Sequence, residues 1–120
     1  LTTTPKRSST IYFRLAVAAA SKGEQIESAP FDGYIYSVFM SFPPGPAFLV
    51  DVRVMFNDRG SDIQVFPGVI GTYVALDSTG LDVEGINYEV RAGSRIRVEW
   101  RNTDGGFEHT VPVTITIREK

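Results

Sequence analysis

An all-β fold, a single antiparallel two-sheet β-sandwich of jelly-roll type with eight or nine strands, is what this sequence of 120 residues predicts. Apolar residues recur at every second position through most of the chain, the period of a strand with one face in the core and one in water. No window repeats apolar residues at spacings of three and four, so no helix is expected. Clusters of Gly, Pro, Asp and Ser punctuate the alternating runs at the short intervals of a sandwich or barrel.

The first run covers residues 11–19, with Ile11, Phe13, Leu15, Val17 and Ala19 on one side. Its alanines favour helix, but the Ile-Tyr-Phe before them is β-prone and the alternation continues through it, so a strand is expected. Ser-Lys-Gly at 21–23 leads into a short strand near residues 24–27, and Asp32-Gly33 into a longer one over 34–42. That longer strand carries large apolar side chains on both faces. If Ile35, Ser37 and Phe39 share one face, then Tyr36, Val38 and Met40 share the other, and one sheet face alone does not bury both sets.

Next comes Ser-Phe-Pro-Pro-Gly-Pro over 41–46. Pro43, Pro44 and Pro46 have no N–H to give a ladder, and each pushes the residue before it toward extended geometry. The segment reads as a stiff, polyproline-like arch between two sheets. A second regular run follows, with Val50, Val52, Val54 and Phe56 alternating with Asp51 and Arg53. Asn57-Asp-Arg-Gly60 turns it into a strand over 62–66. Further strands are expected over 72–76 and 81–90, separated by Ser-Thr-Gly at 78–80. After Ala92-Gly93, Ile96, Val98 and Trp100 alternate with four charged residues. Asp104-Gly-Gly106 then precedes the last run, in which Val111, Val113, Ile115 and Ile117 face one way.

A chain of this length makes one domain, here residues 10–120, and buries about two-thirds of the surface exposed when unfolded. Residues 1–9 hold Thr, Ser, Pro, Lys and Arg with a single large apolar side chain, too little to offset the entropy of ordering, so they are expected to form a flexible arm. The net charge of −2, with both signs interspersed, offers no basic field for nucleic acid. The longest apolar run, Leu15 to Ala20, falls far short of the roughly 20 residues of a membrane span. Arg outnumbers Lys nine to three while Asn and Gln total five, a composition expected of a heat-adapted source.

Chemistry is scarce. With no cysteine and one histidine, thiolate catalysis, disulfides and multi-histidine metal sites are excluded within one chain, and a Ser-His-Asp triad would have to pass through His109. No serine stands in a Gly-x-Ser-x-Gly elbow, and no phosphate-binding glycine motif occurs. Asp82 and Glu84 read as solubilising acids on a wet strand face rather than a glycosidase pair. Two glycine-bearing loops, Asn102-x-Asp104-Gly-Gly-x-Glu108 and Asn57-Asp58-x-Gly60-x-Asp62, place oxygens close together, but neither meets the EF-hand pattern. No catalytic residue, metal or other cofactor is expected. Aromatics gather around the proline segment, with most of them expected in the core; Tyr12, Tyr73 and Tyr88 are expected on outward faces.

The stretch from Gly33 to Ala47, the strand after it, and Asn102-Thr-Asp104 followed by His109-Thr-Val-Pro-Val113 resemble small β-sandwich virion proteins of tailed phages and archaeal viruses. The resemblance implies a jelly-roll-like capsid decoration subunit, bound to a major capsid or other shell protein at the virion surface and assembled as a homo-oligomer, a trimer. On that reading Thr2, Thr3, Thr4, Lys6 and Arg7 of the arm, and Pro43, Pro44 and Pro46 of the arch, are the partner-binding residues. Thr2 to Thr4 would add a short strand to a neighbour's open sheet edge, and Lys6 and Arg7 would meet its acidic groups. The alternatives are a carbohydrate-binding or adhesion module with exposed aromatics on one face, and a filament or surface-layer subunit that donates its arm as a strand.

Overall fold

The computed structural model describes residues 6–45 and 49–120, with the backbone alone at Leu15 and Asp58. Among the described residues eight strands form: β1 (Ser8–Val17), β2 (Lys22–Ser28), β3 (Gly33–Phe42), β4 (Val50–Asp58), β5 (Ser61–Phe66), β6 (Thr79–Val90), β7 (Arg95–Asn102) and β8 (His109–Glu119). They make two antiparallel sheets, ordered β1-β8-β3-β6 and β2-β7-β4-β5. Every connection but the β4–β5 hairpin crosses from one sheet to the other, and first and last strands lie side by side. This is the jelly roll. Among the described residues there is no helix, and none therefore long and apolar enough to cross a membrane.

The core lies between the sheets and is drawn from the alternating runs. Phe13 and Val17 of β1, Val50, Val52, Val54 and Phe56 of β4, Ile96 and Val98 of β7, and Val111, Val113, Ile115 and Ile117 of β8 are all essentially shut off from solvent. Phe56 meets Tyr88 edge to face across the gap, ring centres 5.5 Å apart. Tyr88 is therefore half-buried and faces inward, a correction to its expected outward place.

β3 resolves the problem of its two apolar faces with a bulge. Ile35 pairs with Ile117 and Ser37 with Thr116, so Tyr36 is an extra residue that resets the alternation. Ile35, Val38, Met40 and Phe42 then all point into the core, while Tyr36, Ser37, Phe39 and Ser41 do not. The neighbouring β6 answers with its own irregularity: Glu84 pairs with Ser37 and Tyr88 with Ile35, leaving three residues between, of which Gly85 (φ 74°) and Asn87 (φ 54°) are left-handed. Glycine and asparagine are the residues that adopt this conformation most easily.

Two expected elements change. The strand over 72–76 reduces to a single bridge between Val74 and Val52; the residues between it and β5 loop out and are held by the Gln64 side chain, which donates to the carbonyls of Pro67, Val69 and Thr72 and accepts from Gly71 N–H. At the other end, Ser8 and Ser9 belong to β1, paired with Arg118 and Ile117, so the sheet starts two residues before the expected end of the arm. Arg7 is fastened as well. Its guanidinium chelates Glu119 and lies 4.7 Å from the Phe31 ring centre, and its carbonyl accepts from Glu119 N–H. Deleting residues 1–9 is thus expected to lower the melting temperature of the domain, since it removes two ladder residues and this ion pair; scanning calorimetry of the truncated chain checks it.

Candidate functional site

The two sheets turn very different outer faces to solvent. On β2-β7-β4-β5 most of the residues between the core positions are charged, with Ile26 and Met55 flanking Arg97 as apolar exceptions, and cross-strand register brings opposite signs together. Arg97 of β7 reaches Glu24 of β2 (3.1 Å), Asp62 of β5 (3.0 Å) and Glu99 beside it (3.0 Å). Arg53 of β4 reaches Glu99 (2.6 Å), and Arg101 reaches Asp51 (2.6 Å). The hydrogen bond from Arg97, then that from Asn57, holds the Asp62 carboxyl below its ordinary 3.8. The centre of this face is a lattice of ion pairs, while Lys22 and Arg95 toward its ends take no ion pair among the described residues.

A cleft of about 560 Å³ opens at one end of that lattice, among Lys22, Glu24, Arg53, Tyr73, Trp100 and Arg101. Gly23 permits it: a Cβ there would stand 2.7 Å from Trp100 Cζ2, so only glycine lets the indole lie against β2. A glycan stacks on an open ring face, but the guanidinium carbons of Arg53 and Arg101 lie 4.6 and 4.0 Å from the Tyr73 ring centre. Tyr73 is therefore half-buried and engaged rather than free.

The outer face of β1-β8-β3-β6 is built differently. Register lines up Tyr12, Thr114, Phe39 and Asp82 in one row, and Thr10, Thr116, Ser37 and Glu84 in the next. Tyr12 is 72% exposed and Phe39 41%. The Phe39 ring lies against Gly80, where a Cβ would be 3.4 Å from it. The charges stand at the margins: Arg14 on β1, Asp82 and Glu84 on β6, and Arg118, whose guanidinium sits 3.4 Å from the Tyr36 ring centre. The middle of the face is hydroxyl and ring.

The corner near the proline arch gathers the residues that sequence offered for chemistry. Asn102, 3% exposed, donates from Nδ2 to the carbonyls of Val17, Ala18 and Phe107 and accepts from Asp104 N–H. Asp104 in turn accepts from Gly106 N–H (3.0 Å) and stands 2.8 Å from His109 Nε2. Asn102 and Asp104 thus spend their oxygens on the loop's own backbone and on His109. The Asn57–Asp62 loop does the same, Asn57 accepting from Gly60 N–H and donating to Asp62. Among the described residues no group of three or more His, Asp or Glu is placed to hold a metal ion.

Of the expected partner-binding residues, Thr2, Thr3, Thr4 and Pro46 lie outside the described residues. Lys6 is exposed just before β1, and Arg7 is occupied by Glu119 and Phe31. Pro43 and Pro44 are exposed at the end of β3. The arch is tied down at Gly45, whose N–H donates to Asp77 Oδ1 (3.1 Å), and whose left-handed backbone (φ 122°) sits against the His109 imidazole. The structure therefore separates the arch from Arg7, at opposite ends of β3's sheet. What the sequence did not single out is Phe39, because its outward place depends on the bulge at Tyr36.

Three carboxylates give this architecture a pH dependence. Asp104 is held below its ordinary 3.8, first by Gly106 N–H and next by His109; Glu119 below 4.5, by the Arg7 side chain and backbone; Asp62 as above. A depressed folded value means that the unfolded chain takes up protons first, so the stabilisation is fully present above the ordinary carboxylate range and is lost as pH falls through the lower folded values. Urea midpoints are expected to fall as pH drops below the ordinary carboxylate range. Asp104→Asn should flatten part of that fall.

An eight-stranded jelly roll with one ion-paired face and one hydroxyl-and-aromatic face is the class the chain defines. No family model and no curated protein matches the sequence. Among solved structures the chain is similar to that described as "Crystal Structure of FLHE", at 16% identity and TM-score 0.55 over 98% of this chain and 99% of that one. It is also similar to a chain of the "Cyanophage Pam1 capsid asymmetric unit", at 14% identity and TM-score 0.56 over 96% and 86%. At such identities the likeness establishes the all-β sandwich fold.

Proposed function

We propose that this chain is a non-enzymatic structural subunit of a virion, a decoration protein that sits on the outer surface of the shell. The observation that carries the reading is the uncharged outer face around Tyr12, Thr114 and Phe39, on a fold shared over 96% of the chain with a cyanophage capsid chain. Exposed rings surrounded by hydroxyls and rimmed by charge are the composition of a protein interface core and its border. The opposite face, with its ion pairs satisfied internally, is the one left to water.

In this reading the partner is a shell protein together with further copies of the chain, three of them in the assembled state. Phe39 and Tyr12 anchor the contact, and the exposed Pro43-Pro44 ridge and Lys6 border it. Residues Thr2 to Thr4 add a strand to a neighbour. Nothing in this role requires catalysis, and His109 serves to hold the corner loop through Asp104.

Immunogold labelling of intact particles, combined with sedimentation of those particles on a density gradient, tests the proposal. The chain is expected on the particle exterior, co-migrating with the shell, and Phe39→Lys, which sets a cation opposite Asp82, should move most of it to the unbound fraction with little change in its melting temperature. A chain that stays unbound, or lies inside the particle, overturns it. Replacement of His109 by Ala is expected to leave particle binding intact; a turnover abolished by that substitution would overturn the non-enzymatic assignment.

A further inference from the structure

A sheet edge shows unpaired N–H and C=O groups, and proteins blunt such edges with charge, bulges, proline or shortness. Three of the four edges here are blunted. β6 carries Asp82, Glu84 and Glu89 and breaks at Gly85–Asn87. β2 has seven residues, of which Lys22, Glu24 and Glu27 are charged. β5 has six, with a register shift opposite Val54 and Met55.

β1 has none of these protections. It runs ten residues in unbroken register with β8, contains no proline or glycine, and holds one charge, Arg14. Arg7 and Glu119 form a hydrogen-bonded pair of that ladder, so alternation turns the N–H and C=O of Thr10, Tyr12, Arg14 and Ala16 away from β8, toward the open edge. Among the described residues that edge has no partner.

We propose that the β1 edge pairs antiparallel with β1 of a second copy of this chain, making one continuous sheet of eight strands through a two-fold contact. Side-chain chemistry selects the register. Residues opposite one another must share a face, so the two numbers in each pair add to an even sum. With Phe13 facing its own copy on the two-fold, Arg14 of each chain lies across from Tyr12 of the other, and Thr10 from Ala16. Arg14 is exposed and without an ion-pair partner among the described residues, and here it meets a ring that is 72% exposed. With Arg14 on the two-fold, the two like charges would face each other. Being isologous, the contact joins chains two at a time. On a shell it is the seam between neighbouring oligomers, and it doubles the hydroxyl-and-aromatic face. It rests on the strand edges alone, independent of whether that face docks on a shell.

Sedimentation velocity of the free full chain over a wide concentration range tests it, with expected mass rising to twice that of the chain. Tyr12→Lys sets the introduced lysine opposite Arg14 in both halves of the seam and is expected to raise the dissociation constant by about tenfold or more, as like-charge juxtaposition does at interfaces. Tyr12→Glu sets a carboxylate there instead and should leave the dimer as tight or tighter. Combining Tyr12→Lys with Arg14→Glu should restore pairing. The melting temperature of each variant, extrapolated to low concentration, is expected to stay near that of the parent because both positions are exposed. A parent chain that remains monomeric throughout overturns the proposal. So does equal weakening by Tyr12→Lys and Tyr12→Glu, which marks a different register, or no response to either, which marks a different surface.

Discussion

Asn102→Leu should destabilise the domain by about 3 kcal/mol, the cost of leaving several buried polar groups unpaired at once. In a chain of this size that corresponds to a fall of roughly 10 °C in melting temperature. Leucine has nearly the same shape, so little of the effect is cavity. What is lost is the junction: the carbonyls of Val17 and Phe107 and the N–H of Asp104 all bond to this one amide, at a position 3% exposed. Those groups end β1, start the β7–β8 loop and orient the carboxylate that holds His109. Thermal melts followed by far-ultraviolet circular dichroism check the size of the loss. A melting temperature within a degree or two of the parent would mean that the loop does not depend on the amide.

Gly33→Ala is expected to cost a similar amount, about 3 kcal/mol, by overpacking backbone against backbone. A Cβ at Gly33 would run into the carbonyl oxygen of Arg118 and stand 3.2 Å from Glu119 Cα. No side chain is there to rotate away. Relief requires β3 to part from β8 at the end where Gly33 pairs with both Glu119 and Val90. Gly93→Ala is the contrasting case. It has open space around it but a φ of 82°, so its cost is the left-handed backbone alone, about 1–2 kcal/mol. Urea unfolding of the two variants side by side separates the crowding from the conformational effect.

How much of this was legible beforehand follows from the length scale of each cause. Strand positions were, because alternation at Val50 to Phe56 or Val111 to Ile117 is local and the pleat converts it directly into burial. The jelly-roll class followed from the number and spacing of such runs. The bulge at Tyr36 was not legible, since it is fixed by what β6 and β8 offer opposite, and with it went the exposure of Phe39. Asn102 and Asp104 were marked as oxygens on one loop, yet the reason they are there, backbone carbonyls arriving from 84 and 85 residues away, is not a sequence-local fact. Arg7 shows the same limit. Its neighbours in sequence are polar and offer it nothing, and the carboxylate that fastens it is 112 residues later.

That last separation bears on how the protein is made. Of the eight described strands β1 is synthesised first, and the strand it needs, β8, is synthesised after all the others: Ser8 waits for Arg118 and Val17 for His109. At translation rates of roughly 5–20 residues per second the first strand spends on the order of 5–20 s without its native neighbour. Nothing synthesised in between can complete the sheet, because β3 joins β1 only through β8. Pairing so distant in sequence also makes the final closure slow relative to local hairpins. Closure of this sheet therefore waits on the synthesis of β8, and a truncation that removed β8 would leave β1 without its place in the fold.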